Sequence, residues 1–178
     1  GLLDRSARAA GTAAAGFHLE SDMDYIELAH FTMRNYGRSG ALPAASFWLR
    51  GNGNKVGVHI HDTLIEKPSY RIDDNSARAA FLFFTQGYTW LSVENVKVSE
   101  FGSWAVRGAV YGDFTRFRNV EMLAPRPGAG NASPGSRVWE LDNFELINFK
   151  FDADIENSDG EYSTTQGFQL SSTTRNVV

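Results

Sequence analysis

Cysteine is absent from this 178-residue chain, so neither disulfides nor thiolate metal sites can hold its fold together. An excess of basic residues is also missing, because 17 lysines and arginines stand against 21 acidic residues. The chain therefore lacks the basic surface typical of nucleic-acid-binding proteins, and no nucleic-acid partner is expected. No apolar run approaches the ~20 residues that a membrane span needs, so we expect no membrane insertion.

Helix-forming segments are also scarce. Only Leu2–Ala15 is rich enough in alanine and leucine to favour a short helix, and Gly11 weakens it. We therefore expect residues 1–16 to be a capping or linker segment, either a short helix or a frayed tail. No signal peptide is recognisable and the first residue is glycine, so we expect a processed chain or a fragment.

A repeated pattern is what the sequence does contain. Six copies of apolar-x-apolar-x-bend-apolar-x-apolar occur, with bend positions 24 to 33 residues apart. These positions are His30, Asp62, Asn95, Asn119, Asn148 and Asn176. Each copy predicts two short strands of period two, joined by a single-residue bend. Repeats of this size are typical of a solenoid, in which stacked coils share one core.

Asparagine suits such a bend because it tolerates the left-handed region of backbone space better than most residues. Its amide can also hydrogen-bond to the asparagine of the next coil, about 4.8 Å away. We predict an inward-pointing ladder of Asn95, Asn119, Asn148 and Asn176. Asp62 and His30 are expected to continue it at the first coils.

A third strand precedes each copy. The predicted third strands are Phe17–Glu20, Phe47–Arg50, Phe81–Phe84, Trp104–Arg107, Trp139–Asp142 and Phe168–Ser171. Residues 17–178 are thus predicted to form an all-β, right-handed, single-stranded parallel β-helix of about six coils with three strands each. The sixth copy breaks off at Val178, which would leave an open sheet edge, so we expect further coils beyond it.

Charged residues at outward positions support this register. Lys97, Glu121 and Lys150 occupy equivalent positions of successive copies, as do Arg116 and Glu145. Opposite charges on neighbouring strands attract each other, so the alternation of sign is mildly favourable in the stacked arrangement.

The three-strand coil with an asparagine bend resembles the pectin-lyase-like β-helix superfamily, most closely bacteriophage tailspikes and capsular depolymerases. The resemblance covers residues 17–178. It implies bacterial surface polysaccharide as the ligand, a homotrimer, and a location in the virion tail or outside the cell. The aspartate clusters and paired aspartates of the catalytic members are not matched in this sequence, which weakens the expectation of an enzyme.

In the fold that the resemblance implies, sugars bind the outer face of a parallel sheet. The outward residues of the third strands are therefore the first candidates. Glu140 and Asp142 would project from one strand face roughly 6–7 Å apart, between the separations typical of retaining and inverting glycosidases. Arg107 would lie on the adjacent coil and orient a carboxylate or an acidic sugar. A salt-bridge cluster at the surface is the simpler interpretation of these three residues.

Aromatic residues suggest a second candidate site. Trp48 with Phe81 or Phe83 would form an exposed stripe suited to sugar stacking or to a subunit interface, unless the loop 66–80 covers it. Arg50 on the strand of Trp48 and Glu20 on the preceding third strand are also expected to point outward, and they complete the predicted carbohydrate-binding set with Trp48 and Phe83.

The run Val58-His-Ile-His-Asp62 offers two histidines on one strand face and a neighbouring carboxylate. Such a set can chelate a metal, with His59, His61 and Asp62 as ligands. Without a further ligand in the sequence, two solvated histidines are the better interpretation. We expect neither a metal nor another cofactor.

Three functions remain open. The first is a polysaccharide-binding β-helix of a tailspike or surface adhesin. The second is a polysaccharide lyase or glycoside hydrolase that uses Glu140, Asp142 and Arg107. The third is a structural β-helix, a spacer or virion component without a ligand.

Overall fold

The computed structural model describes thirteen stretches of the chain. They are residues 1–4, 16–19, 23–34, 44–49, 55–66, 79–84, 88–99, 104–108, 112–123, 135–139, 143–151, 168–171 and 178. All regular secondary structure in these stretches is β-strand. The prediction of an all-β chain with parallel strands is therefore confirmed for this part of the protein.

The strands form two sheets. The first sheet contains β1 (Leu2–Asp4), β3 (Met23–Ala29), β4 (Thr32–Arg34), β6 (Lys55–Glu66), β8 (Tyr88–Ser99), β10 (Gly112–Met122), β12 (Phe144–Ile147) and β13 (Lys150–Phe151). The second sheet contains β2 (Phe17–Leu19), β5 (Ala44–Leu49), β7 (Ala79–Phe84), β9 (Trp104–Gly108), β11 (Gly135–Trp139) and β14 (Phe168–Ser171).

Strand order follows chain order in both sheets. The first sheet runs β1-β4-β6-β8-β10-β12, with β3 also paired to β6 and β13 to β10, while the second runs β2-β5-β7-β9-β11-β14. All of these pairings are parallel. The copies of the bend-containing repeat form the first sheet, and the predicted third strands form the second. The chain therefore alternates between the two sheets.

The predicted bend positions are confirmed at five places. His30, Asp62, Asn95, Asn119 and Asn148 have φ values of 58°, 49°, 51°, 50° and 50°. Strand register brings them side by side, because the residues flanking each bend pair with those flanking the next. A left-handed residue at the same point of each copy turns every strand by the same amount, so the strands remain in register after the bend.

Side-chain hydrogen bonds join these bend residues. Asn148 Nδ2 donates to Asn119 Oδ1, Asn119 Nδ2 donates to Asn95 Oδ1, and both distances are 3.0 Å. The predicted bonds among these three asparagines are present, whereas Asn176 lies outside the described residues. The predicted inward direction is wrong, because all three asparagines are exposed. The left-handed bend leaves Glu94 and Asn95 both on the outside between the buried Val93 and Val96.

Buried apolar side chains form the core in layers. Val93 lies opposite Phe117 and Val96 opposite Val120 on neighbouring strands, and all four side chains are at most 1% exposed. Phe31, on the connection between β3 and β4, packs against Phe17 and Phe47 of the second sheet with ring centroids 5.4 and 6.1 Å apart. The two sheets therefore contribute to one core at this end of the molecule.

The N-terminal residues differ from their prediction. Leu2–Asp4 form strand β1, with Leu2 opposite Thr32, instead of the start of a helix. Hydrogen bonding to the free edge of β4 outweighs a helix propensity that amounts to only a few tenths of a kcal/mol per residue. Residues 5–15 lie outside the described part.

The last strands also depart from their predicted positions. Strand β11 covers Gly135–Trp139 and so begins four residues before the predicted strand Trp139–Asp142, of which residues 140–142 lie outside the described part. In addition, Val178 N donates to Phe144 O and Leu146 N donates to Val178 O, which places Val178 opposite Glu145. The repeat had placed Val178 opposite Lys150. The sixth copy ends two residues after its bend, so its predicted register depended on the match of Asn176 to Asn148 alone.

Candidate ligand-binding surface

Three of the predicted catalytic and carbohydrate-binding residues, Trp48, Phe83 and Arg107, lie on described strands of the second sheet. Glu140, Asp142, Glu20 and Arg50 are outside the described residues. Trp48 lies opposite Phe83, and Phe83 opposite Arg107, at consecutive strands of this sheet. Of the two residues predicted to accompany Trp48, Phe83 is its register partner, while the predicted exposure of the stripe falls outside what the structure describes. Arg107 lies opposite Arg137 on the neighbouring strand β11, and its predicted approach to Glu140 or Asp142 falls outside the described residues.

A different surface carries the described polar and aromatic side chains. It is the outer face of the first sheet, defined by Tyr25, Glu27, Gly57, His59, His61, Trp90, Ser92, Glu94, Phe114, Arg116, Arg118 and Glu145. These residues fall into rows because the strands are in register: Tyr25 lies beside Gly57 and Trp90, and Glu27 beside His59 and Ser92. We call this surface the outer face.

Two aromatic rings stand at one end of the outer face. Tyr25 and Trp90 have ring centroids 6.4 Å apart and ring planes within 19° of parallel. Gly57 lies between them, and a Cβ atom there would come within 2.9 Å of Tyr25 Cδ2. The absence of a side chain at position 57 therefore lets the two rings approach each other. Tyr25 is 57% exposed, so its ring remains accessible.

A chain of hydrogen bonds runs from the aromatic end to the bend. His61 Nε2 lies 2.8 Å from Glu27 Oε1, and its Nδ1 lies 2.8 Å from Asp62 Oδ2. Asp62 Oδ1 accepts a hydrogen bond of 3.0 Å from Asn95 Nδ2. The imidazole of His61 thus lies between two carboxylates, and the asparagine series holds one of them in place.

This network shifts two pKa values. Hydrogen bonds to Asp62 and then to Glu27 raise the pKa of His61, because both carboxylates favour the charged imidazolium. The hydrogen bond from His61, followed by that from Asn95, lowers the pKa of Asp62. The local structure therefore favours a charged pair at neighbouring positions of β6.

His59 lies at the centre of the outer face. Its ring stacks on His61 with centroids 4.3 Å apart and meets Trp90 edge-on at 5.7 Å. Its Nε2 is buried without a hydrogen bond and lies 3.9 Å from Glu94 Oε1, which accepts a 2.7 Å bond from the buried Ser92 hydroxyl. Because this nitrogen is buried, the group here that a ligand hydroxyl can reach is the partly exposed carboxylate of Glu94.

The far end of the outer face carries an arginine. Arg116 Nε donates to Glu145 Oε2 at 2.7 Å, and its guanidinium carbon lies 5.2 Å from the centroid of the Phe114 ring. Both contacts orient the guanidinium, so this end of the outer face presents an ordered positive charge next to a carboxylate.

Metal-ligating side chains meet at the bend. His30, His61 and Asp62 each offer one donor atom, and these atoms lie within 4.8 Å of one another. The H-x-H-D run therefore supplies only His61 and Asp62 to this group. His30, which precedes the run by a whole repeat copy, takes the place expected of His59.

Sequence reasoning missed the outer face as a site, although signals for it were present. Alternation in Val58-His-Ile-His and Leu91-Ser-Val-Glu already places His59, His61 and Glu94 outward. The repeat alignment then predicts which of these positions are neighbours. What the pattern does not predict is that Tyr25 leans over Gly57, or that His61 turns toward Glu27.

The described residues include no helix that could cross a membrane. Comparison of the chain with protein-family models, with curated protein sequences and with solved structures finds no match. The geometry of the outer face is thus what a proposal about function rests on.

Proposed function

We propose that the chain folds as a right-handed, single-stranded parallel β-helix of the pectin-lyase-like type. Parallel pairing throughout, strict alternation between two sheets, and left-handed bends joined by asparagine side chains support this fold. A crystal structure in which each pair of first-sheet and second-sheet strands forms one right-handed turn about a common axis would establish it. Left-handed connections would contradict it.

We propose that this β-helix binds bacterial surface polysaccharide, as part of a trimeric phage tailspike or of a surface adhesin acting in the virion tail or outside the cell. The observation that carries the proposal is the exposed Tyr25 ring beside Trp90, directly next to Glu27. Sugar rings have apolar C–H faces and polar rims, so they suit a surface that combines aromatic faces with hydrogen-bonding groups.

The polar groups of the outer face support the same ligand class. The partly exposed carboxylate of Glu94 can bind hydroxyl groups, and Arg116 offers a charge to acidic sugars such as those of many bacterial capsules. The outer face extends across five neighbouring strands, from Tyr25 to Glu145, at about 4.8 Å per strand. That length accommodates several sugar units in a row.

A binding assay with purified capsule and lipopolysaccharide tests the proposal. We expect Tyr25→Ala and Trp90→Ala each to weaken polysaccharide binding about tenfold or more, since each removes one ring of the pair. Glu121→Gln is the matched control, because the half-exposed Glu121 follows the bend and lies away from the rings. Unchanged binding in both ring variants would refute the outer face as the sugar site.

The same incubation separates binding from cleavage. Release of oligosaccharides that is lost in Glu140→Gln and Asp142→Asn would favour the lyase or hydrolase, with Arg107 as the charge-stabilising group. Binding without release favours the adhesin, and neither binding nor release favours a structural β-helix. The mass of the protein in solution tests the trimer, which a stable monomer would contradict.

A further inference from the structure

His30 and Asp62 hold equivalent bend positions on neighbouring strands. Their φ values of 58° and 49° direct both side chains outward at the same point of successive repeat copies, and both residues are exposed. His61 precedes Asp62, and its ring meets the His30 ring edge-on with centroids 5.5 Å apart. Two imidazoles and one carboxylate therefore converge on the surface, with donor atoms no more than 4.8 Å apart.

Neighbouring groups orient two of these three donors. Glu27 Oε1 accepts the Nε2–H of His61 at 2.8 Å, which directs Nδ1 toward Asp62 Oδ2. Asn95 Nδ2 binds the other oxygen of Asp62, Oδ1, at 3.0 Å. In protein metal sites, a carboxylate that hydrogen-bonds to a histidine ligand, or an amide that hydrogen-bonds to a carboxylate ligand, holds that ligand in its orientation.

We propose that His30, His61 and Asp62 bind a divalent first-row transition metal ion, with Zn²⁺ as the best fit. The ligand atoms are His61 Nδ1, Asp62 Oδ2 and one ring nitrogen of His30. Two imidazoles with one carboxylate are typical of zinc and its neighbours, whereas Mg²⁺ and Ca²⁺ prefer oxygen ligands. Three protein ligands leave a fourth position of the tetrahedron for water or another small ligand.

The distances are compatible with this ion after small movements. Bonds of about 2.0–2.2 Å to a tetrahedral Zn²⁺ place ligand atoms roughly 3.3–3.6 Å from one another. His61 Nδ1 and Asp62 Oδ2, now 2.8 Å apart, would separate slightly as the ion replaces the proton between them. The His30 ring would move toward the other two ligand atoms, which its exposed position allows.

Calorimetric titration of the full chain with Zn²⁺, in buffer stripped of metals, tests the proposal. We expect one Zn²⁺ per chain, and at least tenfold weaker binding in His30→Asn and in Asp62→Asn. Asparagine is the matched replacement because it already occupies the equivalent bends at positions 95, 119 and 148 with positive φ. Glu121→Gln is the control, since it removes a carboxylate of another strand that pairs with Lys97 and not with the three ligands.

A second measurement uses the unmodified protein. Zn²⁺ should shift the ring-nitrogen NMR signals of His30 and His61 to coordinated values and leave those of His59 at uncoordinated ones. Absence of stoichiometric binding would overturn the proposal, as would binding that both asparagine variants retain. Loss of binding in Glu121→Gln, or coordination shifts at His59, would also overturn it.

Discussion

His61 Nε2 lies 2.8 Å from Glu27 Oε1, although 34 residues separate the two in sequence. The contact exists because β3 and β6 pair in parallel with Ala29 opposite His61 and Glu27 opposite His59, so Glu27 reaches diagonally across the strands. The other nitrogen of the same ring faces Asp62. One imidazole thereby links two repeat copies to the asparagine series at the bend.

This contact predicts a pH dependence of stability. The folded-state pKa of His61 is raised above its usual 6.5, so its contribution is complete below pH 6.5 and is lost as pH rises through the raised value. The folded-state pKa of Asp62 is lowered below its usual 3.8, so its contribution is complete above that pH and is lost as pH falls further. The pair therefore stabilises the fold most between about pH 4 and 6.5.

Urea unfolding of the protein and of His61→Gln, in chelator-treated buffer, measures this contribution. We expect the difference in unfolding free energy between the two proteins to be largest near pH 5–6 and to shrink as pH rises above the raised pKa. A difference that grows with pH would show that the neutral ring, not the imidazolium, is the stabilising form.

The hydrogen-bonded series of bend asparagines predicts how two substitutions at position 119 rank in stability. Asn119→Ala removes the hydrogen bond that Asn119 donates to Asn95 and the one that it accepts from Asn148. It also forces an alanine to adopt a φ of 50°. We expect a loss of about 1–3 kcal/mol from the left-handed backbone and the exposed hydrogen bonds. Asn119→Gly loses the same bonds without the backbone cost, so it should be the more stable of the two. Equal stability would show that the positive φ is not strained.

The core predicts a larger effect at Phe117. Its side chain is fully buried and meets Phe144 and Phe149 with ring centroids 5.8 and 6.1 Å away. Phe117→Ala should cost about 3–5 kcal/mol, because it removes a large apolar group and leaves a cavity. Glu121→Ala on the same strand, where the side chain is half-exposed, should change stability by less than about 0.5 kcal/mol in the same denaturation experiment.

A substitution at Gly57 should change ligand binding without changing the stability of the fold. In Gly57→Ala the new Cβ would lie 2.9 Å from Tyr25 Cδ2, so the exposed Tyr25 ring must turn away from Trp90. We expect weaker polysaccharide binding at nearly unchanged thermal stability. Circular dichroism melting and the binding assay check the two parts. Intact binding would mean that the spacing of the two rings does not matter for the ligand.

Much of the first sheet was predictable because its signals are local. Alternation of apolar residues gave the strands, and one polar residue per copy marked the bend, as Asn95 and Asn119 show. The second sheet was less predictable: its strands carry no bend residue to anchor their alignment. The predicted third strands begin at Phe47, Phe81 and Trp104, which implies that these three residues are register partners. In the structure Phe47 lies opposite Leu82, and Leu82 lies opposite Val106.

The sequence by itself determined the strand repeats, the bend positions and the register of the first sheet, since backbone preference and side-chain alternation act within each copy. Only the tertiary structure decided that the bend asparagines are exposed, that Leu2–Asp4 form a strand, and which groups surround His61. These outcomes depend on the direction of exposed side chains and on free strand edges. Both are set by neighbours from distant parts of the chain, which no local pattern encodes.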